Sequence, residues 1–270
     1  MTQTVYTRFD VGMHTLTLPD AHTDLLPGVA WMTCEQVFTP AYWRSQAWMR
    51  GLSAVRSHRL GSTLPEEAAA CLLGGHGIPA EVGLAAFHAL RSRGLLIGCP
   101  PREELEEALL VPLRVRGSVI RYRFARQKAR YLHATLERLH HSPPRLDDDR
   151  AFRDWFLDCP GVGYKTASWI TRNWLGSDRV AIIDVHIQRA GQLMGLFPVA
   201  LNPTRDYVEM ERLFLLFAER VGVRASVLDA LIWADMREAG PLVFELLHLR
   251  SRHAPSSPAR KTCSPIALAP

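Results

Sequence analysis

Two hydrophobic patterns divide the chain. In the first thirty residues, Thr4-Val5-Tyr6-Thr7-Arg8-Phe9 and His14-Thr15-Leu16-Thr17-Leu18 alternate apolar and polar positions, which predicts short extended, β-like stretches. From Thr39 the apolar spacing becomes helical. Thr39-Pro40 supplies a cap and a first-turn proline for a helix toward Met49. Thr63, with Glu66 three residues on, opens a second helix over 63–73. Further helices are predicted over 79–94, 102–110, 118–140, 148–159, 164–175, 185–193, 204–221 and 225–239.

These elements predict a mostly α protein: two helical subdomains flanking a cleft, with a short N-terminal β-like segment. The expected organisation is an extended segment over 1–38, a first helical region over 39–142, a second over 143–250 and a disordered tail over 251–270. The tail is rich in Ser, Pro and Ala.

Composition narrows the class. Apolar residues make up 47% and charged residues 22%, a globular balance. No apolar run is long enough to cross a membrane, and the first ten residues lack a basic-then-apolar secretory pattern. The five cysteines are irregularly spaced and fit neither a disulfide framework nor a metal site, so the expected compartment is a reducing cytoplasm. A net charge of +5 is compatible with a polyanionic partner. The basic set is almost entirely arginine; Lys128, Lys165 and Lys261 are the three lysines.

The sharpest chemical signal is Pro160-Gly161-Val162-Gly163-Tyr164-Lys165-Thr166-Ala167 between two predicted helices. Proline ends the first helix and the glycines permit a tight turn. The amides at the start of the second helix are then free to bind an anion such as a DNA phosphate. The spacing fits neither a Walker A loop nor a dinucleotide fingerprint, and a helical turn without function is the plain alternative. Lys165 falls in the first turn of that second helix, where the dipole opposes a cation by ~0.3–1 kcal/mol. Asp184 follows an apolar run and precedes Val185-His186-Ile187. Its plain role is an N-cap, and a cap can direct its other oxygen into a cleft.

Together, the Pro-Gly-Val-Gly-Tyr-Lys turn and the later Ile183-Asp184-Val185-His186 resemble the helix–hairpin–helix DNA glycosylase superfamily. The lysine resembles that of its bifunctional glycosylase/AP-lyase branch, and the Lys-to-Asp spacing is most similar to the 8-oxoguanine DNA glycosylases. Gln127-Lys128-Ala129-Arg130-Tyr131 and Leu228-Asp229-Ala230-Leu231-Ile232-Trp233 resemble flanking helices of that family, so the likeness runs over about residues 115–240. Residues 1–60 match no part of it. The four-cysteine cluster of the endonuclease III and adenine glycosylase relatives is not present in the sequence.

The resemblance implies excision of an oxidised purine from duplex DNA through a lysine Schiff base, followed by AP-lyase strand cleavage. Lys165 would be the nucleophile and Asp184 its carboxylate partner. Gly161, Val162, Gly163, Thr166 and His186 would contact the DNA backbone. Asp229 and Trp233, at i and i+4, would bond and stack the flipped base, with ordinary core the alternative for Trp233. His76, in Gly74-Gly75-His76-Gly77, would stand where the family has a strand-invading loop. No metal or organic cofactor is implied. The expected partner is double-stranded DNA bearing a modified base, met by a monomer in a bacterial-type cytoplasm at the nucleoid. Another modified base, or a non-catalytic helix–hairpin–helix binding module, are the competing functions. The arginines from Arg121 to Arg130 read as a solvated face more than a backbone-binding stripe.

Overall fold

The structure, a computed structural model, describes residues 1–10, 12–52, 58–75 and 77–253. Helix starts follow local chemistry. α1 (Pro40–Met49) opens behind Thr39, whose hydroxyl accepts the Tyr42 N–H. α2 (Leu64–Leu73) opens behind Thr63, which accepts the Glu66 N–H. α3 (Ala80–Ser92) and α4 (Arg102–Leu110) start directly after Pro79 and Pro101. α5 (Ala125–His141) leads to α6 (Asp149–Leu157), whose first amides are capped by Asp148. α7 (Tyr164–Leu175), α8 (Val185–Met194), α9 (Tyr207–Val221), α10 (Ala225–Ala239) and α11 (Leu242–His253) follow. The fold is mostly α, as the periodicity predicts.

At the N-terminus β1 (Gln3–Phe9) pairs antiparallel with β2 (Gly12–Leu18), from Gln3↔Leu18 to Phe9↔Gly12. Short β3 (Asp24–Leu26) and β4 (Val29–Ala30) form a second pair.

Three stretches differ from the pattern-based expectation. The helix expected over 118–140 begins only at Ala125, because β5 (Leu113–Val115) and β6 (Ser118–Ile120) form a hairpin first. Arg116 and Gly117 both take positive φ, the two-residue turn whose twist suits paired strands. The helix expected from 204 begins at Tyr207, since Asn202 and Asp206 fold the preceding residues into a side-chain-bonded turn. α11 was not expected. It opens after Gly240-Pro241 and carries the chain to His253, so residues 251–253 of the expected tail are helical. Residues 254–270 of that tail, and the predicted loop residue His76, lie outside the described residues.

The side chains gather into two apolar cores. One is built from α2 to α7 with the β5–β6 hairpin, around Leu72, Phe87, Leu105, Leu132, Phe152 and Phe156. The other joins the N-terminal strands and α1 to residues 181–183, α8, α9 and α10, around Trp43, Met210, Phe214 and Leu228. The segments 39–142 and 143–250 therefore do not coincide with the cores, and each contributes to both. The physical reason is α1, which packs on α10 and not on α2. Its C-cap residue Arg50 forms a two-pronged ion pair with Asp235, at 2.7 and 2.9 Å, and Tyr42 donates to the same carboxylate.

The seam between the lobes is tied by one buried carboxylate. Glu211 of α9 accepts from Arg153 of α6 at 2.9 Å, from Ser168 of α7 at 3.4 Å and from the Ala181 amide at 3.0 Å. Beside it the buried Tyr207 hydroxyl donates to the Ala181 carbonyl and accepts the Ile183 N–H. Removing one member of such a pair leaves the other charge buried and unpaired. Glu211→Ala should therefore cost about 3–5 kcal/mol, read as a fall in the urea midpoint. A loss near that of a surface substitution would show that the lobes are held by other contacts.

Candidate functional site

The site begins at the turn between α6 and α7. The chain leaves α6 through Asp158, turns with Cys159 N–H donating to Phe156 C=O and Val162 N–H donating to Cys159 C=O, and re-enters a helix at Tyr164. The two glycines have different reasons. Gly161 has φ +76°, and a Cβ there would lie 2.1 Å from the Tyr131 ring of α5. Gly163 is extended, at φ −103° and ψ 178°, and a Cβ there would meet nothing within 4 Å. Gly161 is thus demanded by the fold, whereas the bare surface at Gly163 is open to an approaching group. Val162 is buried and fixes the turn to the first core.

Gly163 caps α7 without a side chain, so the first-turn amides of Tyr164, Lys165 and Thr166 have no capping partner. Such amides, together with the helix dipole, have the chemistry to accept an anion. Tyr164 is held by stacking on Tyr207 at 5.2 Å and by the Arg153 guanidinium 4.9 Å from its ring. The helix start is thereby fixed to the seam.

Lys165 is half-buried and makes no hydrogen bond or ion pair among the described residues. Asp184 is the N-cap of α8: its Oδ1 accepts from the His186 and Ile187 amides at 2.8 and 3.0 Å. Its Oδ2 has no hydrogen-bond partner among the described residues, so the cap and a free carboxylate oxygen coexist.

His186 lies within electrostatic reach of both Lys165 and Asp184. Burial pushes its imidazole below the ordinary histidine value. Asp184 opposes this, while Arg189, Lys165 and Arg237 add to it. A neutral ring can still donate one N–H to a phosphate. The His186 ring stands edge-on to Trp233 at 6.3 Å, and the Arg237 guanidinium lies 5.1 Å from the Trp233 ring centre. Trp233 is 37% exposed, so it is not a core filler and its ring is open to solvent beside His186.

Asp229 behaves differently from the expectation that it bonds a flipped base. It is 2% exposed and both carboxylate oxygens are sealed from solvent. A base cannot reach it in this structure, because α10 turns its Asp229 position inward against α7. There Arg172 Nη2 stands 3.6 Å from Oδ1, beyond hydrogen-bond range.

Several residues of the site carry no local sequence signal. Lys128, within the predicted solvated run, is half-buried; its ammonium donates to the Leu72 and Gly74 carbonyls at 2.5 and 3.2 Å. Burial lowers its pKa, and the nearby charge of Lys165 adds to that. It fastens the end of α2 and the start of the glycine loop to α5. The neighbouring Arg121, Arg123, Arg126 and Arg130 are exposed, as a solvated face would be. Arg172 is the second such residue, since the carboxylate it faces, Asp229, lies on another helix, α10.

Comparison with known proteins places this geometry. Residues 50–223 match the family model described as 8-oxoguanine DNA glycosylase. Over 139 residues the chain is 33% identical to the 8-oxoguanine DNA glycosylase/AP lyase of Methanocaldococcus jannaschii, covering 49% of this chain and 62% of that protein. The chain thus spans about three fifths of that curated relative's length. The crystal structure of the Methanocaldococcus jannaschii 8-oxoguanine DNA glycosylase is similar at a TM-score of 0.56 and 26% identity, over 72% of this chain and 91% of that one. That of the Thermotoga maritima 8-oxoguanine DNA glycosylase is similar at 0.54 and 25%, over 72% and 92%. With its family match running from the end of α1 to the end of α9 and enclosing the hairpin, Lys165 and Asp184, the chain belongs to the helix–hairpin–helix 8-oxoguanine DNA glycosylase family.

Proposed function

We propose that the protein excises 8-oxoguanine from duplex DNA and then cleaves the strand as an AP lyase. The observation that carries this reading is the setting of two groups within electrostatic reach of His186: the Lys165 amine in the first turn of α7, with no salt-bridge partner among the described residues, and the Asp184 cap carboxylate at the head of α8, whose Oδ2 accepts no hydrogen bond among them. Relatives bearing the name 8-oxoguanine DNA glycosylase/AP lyase support it. The duplex would lie across the mouth between the lobes, in the cytoplasm at the nucleoid. Its backbone would meet the amides after Gly163 and the side chains of Thr166 and His186, and the flipped nucleotide would stack on Trp233.

In this mechanism Asp184 orients Lys165 and balances the positive charge that develops at C1′. The neutral Lys165 Nζ attacks C1′, the C1′–N bond breaks, and the base leaves with its electron pair and takes up a proton. Opening of the sugar ring gives a Schiff base between Nζ and C1′. Loss of a C2′ proton then breaks the C3′–O bond, releasing the 3′ phosphate by β-elimination. Hydrolysis of the imine returns the amine.

Two experiments test the reading. Borohydride should trap a covalent protein–DNA adduct on 8-oxoguanine duplex, and Lys165→Gln should abolish trapping and strand cleavage while duplex binding persists. Asp184→Asn keeps the cap, since asparagine caps helices about as well as aspartate, yet should slow excision by about 10²-fold or more. Full activity in Asp184→Asn would leave that residue as a cap, and adduct formation by Lys165→Gln would move the nucleophile. A panel of duplexes each carrying one modified base separates 8-oxoguanine from other lesions; turnover of none of them would leave a binding module.

The second experiment concerns the hairpin. Gly163→Val, with room for a Cβ and an ordinary φ, should lose only the N-cap preference for glycine, a small fall in melting temperature, but bind undamaged duplex more weakly, with a salt slope shallower by about one contact. Gly161→Ala should instead lower the melting temperature, through its left-handed φ and the Tyr131 clash. Unchanged affinity and salt dependence in Gly163→Val would remove the hairpin from the DNA interface.

A further inference from the structure

The segment 181–183 that delivers Asp184 is held from one side by contacts described above. Glu211 takes the Ala181 amide and Tyr207 takes the Ile183 amide, both from α9. The intervening Ile182 N–H bonds to neither of these side chains and acts instead on Asp229 of α10. There stands the Asp229 carboxylate, which the Ile182 amide attracts without completing a hydrogen bond. Behind it Arg172 approaches to 3.6 Å, with its own Nε buried and unpartnered. A carboxylate sealed from solvent, with neither oxygen hydrogen-bonded, is a cost to the fold that ordinary packing does not require.

We propose that Asp229 is a positioning residue for the excision reaction: paired at long range with Arg172, it draws the Ile182 amide and so fixes the segment 181–183 that carries Asp184. The proposal rests on the glycosylase reading and adds to it a residue that never touches DNA. The groups facing the carboxylate are Arg172 from α7, Asp178 and Ile182 from the segment between α7 and α8, and Asp184 from the head of α8. Burial raises its pKa to about 6; Arg172 and the Ile182 amide pull it down, and Asp184 and Asp178 push it up. The residue is therefore ionised at neutral pH and loses its charge as pH falls through about 6.

The sign for stability follows. A carboxyl whose folded pKa lies above its unfolded value of 3.8 stabilises the fold most when protonated, and that contribution is lost as pH rises from about 4 to 6. Positioning and stability thus run in opposite directions with pH, which a merely structural residue would not show.

The test uses the full-length protein and an 8-oxoguanine duplex. Single-turnover excision and melting temperature are measured from pH 4 to pH 8 for the parent, Asp229→Asn, Arg172→Gln and His186→Gln. His186 is included because it is a second titratable group beside Asp184, its imidazole held below the ordinary histidine value by burial. The parent should show an acid limb near pH 6. In Asp229→Asn that limb should vanish and the rate at pH 8 should fall about tenfold. In Arg172→Gln, which removes the attracting cation, the limb should move to higher pH. The melting difference between Asp229→Asn and the parent should shift in favour of the variant between pH 4 and pH 7, whatever constant offset the amide adds. A limb that survives in Asp229→Asn and disappears in His186→Gln assigns the titration to the histidine and overturns the proposal. A melting difference that does not change with pH overturns it as well. A parent that excises no base overturns the glycosylase reading itself, and is told apart because the failure then appears before any variant is compared.

Discussion

The buried Glu211 carboxylate is the constraint on which the rest of the arrangement depends. It sits on α9 in the second lobe, yet its partners are Arg153 and Ser168 in the first lobe and the Ala181 amide on the segment between α7 and α8. One side chain thus fixes the helix before the hairpin, the helix after it and the segment leading to Asp184. Because the Arg153 guanidinium also lies over Tyr164, and Tyr164 stacks on Tyr207, the first turn of α7 is located by the same group. A rotation of either lobe would break an ion pair in a low-dielectric interior, which is strongly unfavourable. The lysine and the aspartate, on different helices, inherit their relation from this junction.

The parts of the fold legible in the sequence are those with local physical causes. Thr39, Thr63, Asp148 and Asp184 each open a helix because a short polar side chain can accept the exposed amides of the first turn. α4, α7 and α10 begin and end where the apolar period does. The hairpin turn was readable because glycine and proline have few other uses between two amphipathic helices. The β5–β6 hairpin was hidden because its strands are three residues long, below the length at which alternation is distinguishable from helical spacing. α11 was missed where a Gly-Pro boundary reads equally as the end of one helix and the start of another.

Within the site the same rule separates what could be read. Lys165 and Asp184 stand out because each sits at a helix start and can be judged against what capping alone would choose. Trp233 could be placed on a helix face but not inside or outside, since exposure depends on the partner helix. Asp229 shows the limit of that reasoning. Its spacing from Trp233 suggests a shared face, yet Asp229 is sealed and Trp233 open, because a turn of helix carries the chain from the interior to the surface. Lys128 and Arg172 owe their roles to partners 56 and 57 positions away in the chain, at Leu72 and Asp229. No local pattern encodes a contact of that separation.

The distribution of cations carries one further step of argument. In a chain whose basic residues are otherwise arginine, two of the three lysines, Lys128 and Lys165, lie within electrostatic reach of each other at the same site. Arginine suits exposed positions on α5, where a planar guanidinium can meet phosphate or remain hydrated. Lys128 must fit a compact ammonium between two carbonyls at the end of α2, a space shaped for a point donor and not for a planar fork. Lys165 must be able to lose a proton and form a bond to carbon, which a guanidinium, protonated throughout the accessible pH range, cannot do. Lysine stands where geometry or chemistry excludes arginine, and the two reasons meet within electrostatic reach of each other.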